Sequence, residues 1–318
     1  MPHTRARRQF GAECHQAIGV ETTVCCEGHS MLPAPMTSFC GRPSSIATTE
    51  VRDRAWRLHR QRSTMKLVVI GGTGLVGSRV VAKLREQRHD VVAASPDTGV
   101  NTLTGEGLAD VLQGASVVID VSNSPSFEEA AALNFFTTST RNILKFATVA
   151  AVAHYVALSV VGTERMPDSP YLRAKNSQET LIKGGEVPYS IVHATQFFEF
   201  MARIADEATE GMIVRLPPVL IQPMAADDVA TAVARVALGA PLNGTLEVAG
   251  PQQFRFDELI RQNLRQRDDR RTVITDPHAR YFGAELSERS LVPGDDAKLG
   301  EFRFADWTRQ PVLPRAMA

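Results

Sequence analysis

The chain has 318 residues, of which 43% are hydrophobic and 22% are charged, and its formal net charge is zero. This composition is ordinary for a soluble globular protein, and the balanced charge gives no general reason to expect nucleic acid or a membrane surface as a partner. No apolar run approaches the roughly 20 residues that a membrane-spanning helix needs. We therefore expect a cytoplasmic protein that binds neither nucleic acid nor membrane. Monomer and homodimer both remain open.

Residues 1–64 differ from the rest of the chain. They contain nine arginines, five acidic residues and all four cysteines, without sustained helical or strand periodicity. The cysteine spacing forms no recognisable zinc pattern, so no metal is expected. The favoured interpretation is a disordered extension or the product of an upstream start codon, in which case Met65 is the natural first residue. An organelle-targeting peptide and a small metal or redox module are the alternatives.

A glycine-rich turn follows at residue 71. Leu67–Ile70 is an apolar run of the length of a buried parallel strand, and a pattern of helical period begins after the last glycine. A strand, a glycine turn and a helix in this order allow a tight turn, a close approach to a pyrophosphate and a helix N-terminus that faces the phosphates. We therefore predict a dinucleotide site that includes Gly71, Thr73, Gly74, Leu75, Val76 and Gly77.

The G-x-x-G-x-x-G spacing of this turn resembles that of the atypical and extended branches of the short-chain dehydrogenase/reductase superfamily. The resemblance implies an α/β fold with a doubly wound parallel sheet, which is the NAD(P)-binding Rossmann fold. It also implies two regions, a dinucleotide-binding domain over 65–200 and a smaller substrate region over 201–318 packed on the same fold.

The end of the second predicted strand bears on the choice of cofactor. This strand, 90–95, ends at Ser95, where an acidic residue would bind the ribose 2′-hydroxyl of NAD. A small residue leaves room for the phosphate of NADP, so NADP is favoured and NAD remains possible. Asp97 is an alternative ribose partner, and Arg79 is a phosphate partner or a solvated helix residue.

The third strand of the usual fold is doubtful here. The segment 100–103 follows Ser95 after four residues, whereas a parallel crossover needs about a dozen. Either the second helix is missing or this segment is not a parallel strand. The next buried strand, 115–123, ends at Asn123. We predict that Asn123 and the following Ser124 contact the cofactor or form an ordinary turn. Asn142, in the long helix predicted over 127–150, is expected to be structural.

A serine and a Y-x-x-x-K pair supply the predicted chemistry. Ser159 ends a buried strand, and twelve residues later Tyr171 and Lys175 share one face of a helix that begins after Ser169. A phenol has a pKa of about 10, and a nearby ammonium lowers that pKa. The arrangement resembles the catalytic set of short-chain dehydrogenases/reductases. The resemblance implies that Ser159 orients the substrate, Tyr171 is the general acid/base and Lys175 tunes Tyr171 and binds the ribose.

The segment 188–200 resembles a corresponding stretch of NmrA-like family members, with His193 at its basic position. We predict that Gln196 contacts the cofactor, that Phe197 and Phe200 border the pocket, and that His193 is a satisfied core residue.

Two further segments carry charged or aromatic side chains. Asp227 and Asp228 are interpreted as residues that cap a helix and complement its dipole rather than as paired catalytic carboxylates, and the segment 277–293 as a lid or a subunit contact.

The sequence thus predicts an NAD(P)-dependent oxidoreductase of short-chain dehydrogenase/reductase type, acting on a small carbonyl, alcohol or quinone-like substrate. Two alternatives remain open. One is a non-catalytic NAD(P)-sensing regulatory protein of the NmrA-like type, and the other is an NAD-dependent epimerase or dehydratase.

Overall fold

The computed structural model describes residues 64–309, so the interpretations of residues 1–63 lie outside the described residues. Its strands, in chain order, are β1 (Lys66–Ile70), β2 (Asp90–Ala94), β3 (Val117–Asp120), β4 (His154–Val160), β5 (Tyr189–Ala194), β6 (Thr209–Glu210), β7 (Ile213–Leu216), β8 (Leu220–Ile221), β9 (Gly244–Ala249), β10 (Phe254–Arg255), β11 (Thr272–Thr275) and β12 (Lys298–Leu299). Its helices are α1 (Leu75–Glu86), α2 (Leu108–Leu112), α3 (Glu129–Val149), α4 (Pro170–Lys183), α5 (Met201–Glu207), α6 (Ala226–Ala237), α7 (Phe256–Gln266) and α8 (Phe304–Trp307).

The main sheet has seven strands in the order β12-β9-β5-β4-β3-β1-β2, and every neighbouring pair is parallel. Helices α3 and α4 pack together, as do α1 and α6. Apolar side chains of the sheet divide between two core clusters. One includes residues of α1 and α6, and the other includes residues of α2, α3 and α4. The predicted doubly wound parallel sheet is therefore confirmed.

The third strand of the usual fold is missing. Residues 96–98 form a short 3-10 turn after β2, and Asn101 makes an isolated antiparallel bridge to Glu106. β2 is therefore the edge strand of the sheet. Asn142 on α3 donates to the carbonyl oxygens of Thr102 and Leu103, at 2.8 and 3.0 Å. Asn142 has the expected structural role, because it holds the loop that stands in place of the strand.

The C-terminal half contributes to both the main sheet and a second core. Strands β9 and β12 extend the main sheet beyond β5. Two smaller sheets, β10-β8 and β11-β7-β6, surround another apolar cluster that includes residues of α5, α7 and α8. None of the helices between 64 and 309 is long and apolar enough to cross a membrane.

Candidate functional site

The turn after β1 requires glycine at two positions. Gly71 has a φ of +76°, and a Cβ there would lie 2.9 Å from the backbone nitrogen of Ser122. A Cβ on Gly77 would lie 2.0 Å from the carbonyl oxygen of Gly71, so any side chain there would force α1 away from the turn. These glycines bring the start of α1 directly against the end of β1, as the sequence predicted.

The N-terminus of α1 is open to a ligand. Gly74 is its N-cap residue and supplies no side-chain hydrogen bond, and the first turn contains no acidic side chain. Thr73 and Gly74 are exposed, Leu75 is half-buried and Val76 belongs to the core. Unpaired backbone N–H groups at a helix N-terminus bind phosphate well, so these residues fit the pyrophosphate of a dinucleotide.

The end of β2 carries no acidic residue at the position that binds an NAD ribose. Ser95 is buried, and its backbone N–H donates to Thr98 Oγ1 at 2.9 Å. Asp97 is exposed on the following turn. The Arg79 guanidinium donates to the carbonyl oxygen of Leu75 within α1.

The loop after β3 brings Asn123 and Tyr171 together. The Tyr171 hydroxyl, at the start of α4, donates to Asn123 Oδ1 at 2.9 Å. Ser124 is buried and donates to the carbonyl oxygen of Ser126, which is an ordinary turn contact. Asn123 is exposed, so its amide group lies at the surface of this edge of the sheet.

Aromatic rings surround Tyr171. The Phe127 ring centroid lies 5.0 Å from that of Tyr171 and 5.5 Å from that of Phe282, and Phe136 meets Tyr171 edge to face at 5.8 Å. Burial raises the pKa of Tyr171, and the positive charge of Arg203 opposes this effect. The phenol is therefore protonated at neutral pH.

Lys175 lies one helical turn from Tyr171 on the same face of α4 and is almost completely buried. Its ammonium donates to the carbonyl oxygen of Leu158 at 2.9 Å and to the side-chain oxygen of Gln178, and it lies 4.6 Å from the centre of the Phe136 ring. Burial lowers the pKa of Lys175 to about 8, against the opposing attraction of Asp120 and Glu179.

Asp120 and Gln178 extend this network, and neither is among the residues predicted from the sequence. Gln178 Nε2 donates to Asp120 Oδ2 at 3.0 Å, and Tyr155 donates to the same oxygen at 2.9 Å. The Asp120 Oδ1 atom accepts from the Ser122 backbone N–H and hydroxyl, directly beside the glycine turn. Hydrogen bonds thus connect Lys175 with Ser122, which lies against the glycine turn. In the sequence, the signal for this network is the position of Asp120 at the end of an apolar strand.

Ser159 has different neighbours from Tyr171. Its hydroxyl donates to Glu179 Oε1 at 2.6 Å, and His193 Nε2 lies 2.8 Å from the same oxygen. Burial by itself would raise the pKa of the Glu179 carboxyl, but its hydrogen-bond donors outweigh burial and lower the pKa to about 2. Glu179 lies eight residues after Tyr171, which corresponds to about 12 Å along the helix axis.

The Ser159 cluster borders a groove between α4 and β9. This groove has a volume of about 350 Å³, and Glu179, Lys183, His193 and Glu247 are among its lining residues. Val160, the next residue along β4, packs in the same apolar cluster as Tyr171. Within residues 64–309 no hydrogen bond joins Ser159 to Tyr171 or Tyr171 to Lys175. His193 has the satisfied, buried environment that the sequence predicted.

Gln196 follows β5 and is buried, with 8% of its surface exposed. In the part of the chain that the structure describes, neither its amide nitrogen nor its amide oxygen has a hydrogen-bond partner of normal geometry. The side chain still lies close enough to Tyr281 to lower the pKa of that phenol, against the larger effect of burial, which raises it. An unpaired buried amide carries an energetic cost of about 1–3 kcal/mol, which a bound molecule can remove. Gln196 therefore fits the ligand-contacting role that was predicted for it.

Asp227 and Asp228 lie in the first turn of α6, where they complement the helix dipole as expected, but they do not cap the helix, which corrects that part of the sequence interpretation. Glu199 has the capping role, because its carboxylate accepts the backbone N–H of Ala226. Asp227 forms an ion pair with Lys83 at 2.8 Å instead. Asp228 Oδ2 accepts two backbone N–H groups, from residues 301 and 302.

Comparison with known proteins finds a family model that matches part of the chain. Residues 67–184, from β1 to the end of α4, match the model of the NAD dependent epimerase/dehydratase family. The matched segment contains the glycine turn and the Tyr171–Lys175 helix.

A curated relative is the photosystem II assembly factor Ycf39 of Synechocystis sp., which is 23% identical over 216 residues. The alignment covers 62% of this chain and 66% of that protein, so the chain spans slightly less than two thirds of its relative.

Solved structures share the fold. MoeE5 in complex with UDP-glucuronic acid and NAD has a TM-score of 0.60 and 17% identity, over 76% of this chain and 96% of that chain. A dTDP-4-dehydrorhamnose reductase from Bacillus anthracis in complex with NADP has a TM-score of 0.56 and 14% identity, over 75% and 95% of the two chains. At these identities the likeness supports the fold alone.

Proposed function

We propose that the protein is an NAD(P)-dependent oxidoreductase that reduces a small carbonyl or quinone-like compound, or oxidises the matching alcohol, with Tyr171 as the proton-transferring residue. The observation that carries the proposal is the Tyr171 hydroxyl. It donates to the exposed Asn123, which follows the carboxyl end of β3, and it lies on the helix whose Gln178 bonds to Asp120 at the end of that strand. Ligands bind at this edge in open α/β sheets.

When bound, the dinucleotide would supply the hydride for reduction or accept it in oxidation. Backbone N–H groups of the turn at 71–77 would hold its pyrophosphate, and Gln196 offers a buried amide that is unpaired among residues 64–309. NADP is favoured because Ser95 leaves the 2′ position without an acidic residue, and NAD remains possible. Structural relatives contain one or the other dinucleotide.

Protonation favours one direction of the reaction. Burial raises the pKa of Tyr171, so the phenol carries its proton at neutral pH and can donate it to the developing alkoxide of a carbonyl under reduction. Lys175, one turn away, supplies a positive charge that stabilises the phenolate left behind. Its ammonium must exchange one of its present internal bonds if it is also to bind the nicotinamide ribose.

The test begins with equilibrium titrations of NADH and NADPH, followed by a carbonyl and quinone panel with the dinucleotide that binds more tightly. In Tyr171→Phe we expect unchanged dinucleotide affinity and a turnover lowered by about 10²–10⁴-fold, the usual contribution of a general acid. Tyr189→Phe, at the start of β5, is a matched control. Turnover by Tyr171→Phe equal to that of the wild type would contradict the role of Tyr171.

A second candidate is a non-catalytic NAD(P)-sensing protein of the NmrA-like type. Two observations favour it: the Synechocystis relative is named as an assembly factor, and Ser159 and Lys175 are already engaged by internal partners. This candidate predicts tight dinucleotide binding without turnover on any member of the panel. An epimerase or dehydratase, the third possibility, would retain NAD through purification.

A further inference from the structure

Arg203 lies at the edge of the Tyr171 site, and none of the described residues is its acidic partner. This residue is on α5 and is exposed. Its guanidinium carbon lies 4.1 Å from the centre of the Phe127 ring, the ring that also packs against Tyr171. Its positive charge reaches the phenol, because it lowers the pKa of Tyr171 against the larger effect of burial.

Among residues 64–309, no group accepts a hydrogen bond from Arg203. A guanidinium has five N–H donors in one plane and no acceptor. The contact between the guanidinium and the Phe127 ring uses none of these donors as a hydrogen bond. Over the part of the chain that the structure describes, no ion pair or hydrogen bond involves Arg203, whereas other arginines nearby in the C-terminal half, such as Arg215 and Arg271, are paired with carboxylates.

The rings beside Arg203 are also held in place by the chain. Phe282 stacks on Phe127 with an interplanar angle of 29°, and it occupies a turn closed by the bridge between Tyr281 and Ala284. Phe282 has a φ of +45°, a conformation that a bulky side chain rarely adopts. The surrounding contacts therefore maintain a strained turn that keeps an aromatic ring at this site.

We propose that Arg203 is a specificity-determining residue that binds the anionic group of an aromatic carbonyl substrate, while the ring of that substrate packs against Phe127 and Phe282, which are both partly exposed. This inference rests on the proposed function of the Tyr171 site and names its substrate class. A carboxylate matches the planar fork of a guanidinium through two parallel hydrogen bonds, and a neutral analogue leaves them unmade.

Binding of benzoate and of neutral benzamide to the full chain saturated with NADP⁺ or NAD⁺, measured by calorimetry, tests the proposal without turnover. We expect benzoate to bind at least tenfold more tightly than benzamide. Arg203→Gln should remove that difference and leave the affinity for the dinucleotide unchanged. Arg235→Gln changes an exposed arginine on α6, for which the structure gives no partner between 64 and 309, and should behave as the wild type.

Three results would overturn the proposal: equal affinity of the wild type for benzoate and benzamide, a benzoate preference that persists in Arg203→Gln, or weaker dinucleotide binding as the main effect of that substitution. Reduction of 4-carboxybenzaldehyde and benzaldehyde separates this inference from the proposed function. Selective benzoate binding without reduction of either aldehyde would contradict the proposed oxidoreductase activity but support the anion site at Arg203. Reduction of both aldehydes at equal efficiency would contradict the anion site but support the proposed oxidoreductase activity.

Discussion

Ser159 is held by a buried carboxylate, and this contact gives its hydroxyl a measurable role. The hydroxyl and His193 both bond to one oxygen of Glu179, which is itself 2% exposed. A buried carboxylate that loses a donor keeps its desolvation cost without the compensating bond. Val160, the next residue of β4, is the one that packs against the same apolar cluster as Tyr171.

We therefore predict that Ser159→Ala lowers the free energy of unfolding by about 1–3 kcal/mol and leaves turnover near that of the wild type. Urea unfolding and steady-state kinetics on the same preparation measure both effects. Ser177→Ala, on the outer part of α4, is the control and should change stability by no more than about 0.5 kcal/mol. A large loss of turnover with unchanged stability would instead support the substrate-orienting role that the family resemblance implies.

Lys175 makes the stability of the protein depend on pH in the alkaline range. Its pKa is about 8 in the folded chain, below the ordinary value of 10.5, because burial disfavours the charged form. Between these two values the unfolded chain binds more protons than the folded chain, so stability rises with pH. Below about pH 8 the lysine is protonated in both states, and this contribution no longer changes with pH.

From pH 7 to pH 9.5 we expect Lys175 to add on the order of 2 kcal/mol to the free energy of unfolding. Lys175→Met should lose this increase, while Lys145→Met, an exposed lysine on α3, should retain it. Denaturant unfolding at a series of pH values gives the free energy of unfolding. The difference between each variant and the wild type then gives the slope of that free energy against pH. Identical slopes for the wild type and Lys175→Met would mean that the lysine does not deprotonate within this interval.

At the scale of elements, the β1–α1 turn contains one glycine that allows close packing and another that leaves room for a ligand. The Cβ of an alanine at 77 would overlap the carbonyl oxygen of Gly71, whereas an alanine at 74 would place its Cβ 3.3 Å from that oxygen and toward open space. Gly74 also has a φ of −76°, which any residue adopts. The two glycines therefore have different functions within one motif.

Gly77→Ala should destabilise the fold by on the order of 3 kcal/mol, because the backbone must move to accept the methyl group. Gly74→Ala should retain the melting temperature of the wild type and weaken dinucleotide binding at least tenfold, because the methyl group occupies the approach to the pyrophosphate. Gly239→Ala, after α6, controls for the general effect of the added methyl. If Gly74→Ala binds the dinucleotide normally, the pyrophosphate does not approach this turn.

The elements that sequence could predict are those that local pattern determines. Apolar runs of four to seven residues give β1, β3 and β4, and the short spacing after Ser95 correctly indicates a missing crossover. The Tyr171–Lys175 face of α4 follows from helical period alone. Side-chain partners do not follow from such patterns. Asp120 and Gln178 are 58 residues apart, and their contact depends on the packing of α4 against β3 and β4. The pairing of Ser159 with Glu179 depends on the same packing.

At the scale of the whole molecule, the segment after β12 joins the main sheet to the second core. β12 extends the sheet beside β9, and the Gly300 N–H donates to the carbonyl oxygen of Ala249 at 2.7 Å. Phe304 is buried four residues later in the apolar cluster of the C-terminal half. Asp228 lies between these attachments and accepts the backbone N–H groups of Glu301 and Phe302 at 3.1 and 3.0 Å.

Because Asp228 satisfies two backbone donors at once, Asp228→Ala should lower the free energy of unfolding by about 1–3 kcal/mol and speed hydrogen exchange at the amides of residues 301 and 302. Asp228→Asn keeps one acceptor oxygen and should recover part of the loss. Asp227→Ala removes a half-exposed ion pair with Lys83, for which about 0–1 kcal/mol is expected. Equal losses for the two alanine variants, with unchanged exchange at residues 301 and 302, would show that Asp228 acts through the charge of the helix terminus, and the segment would then be held by β12 and Phe304 alone.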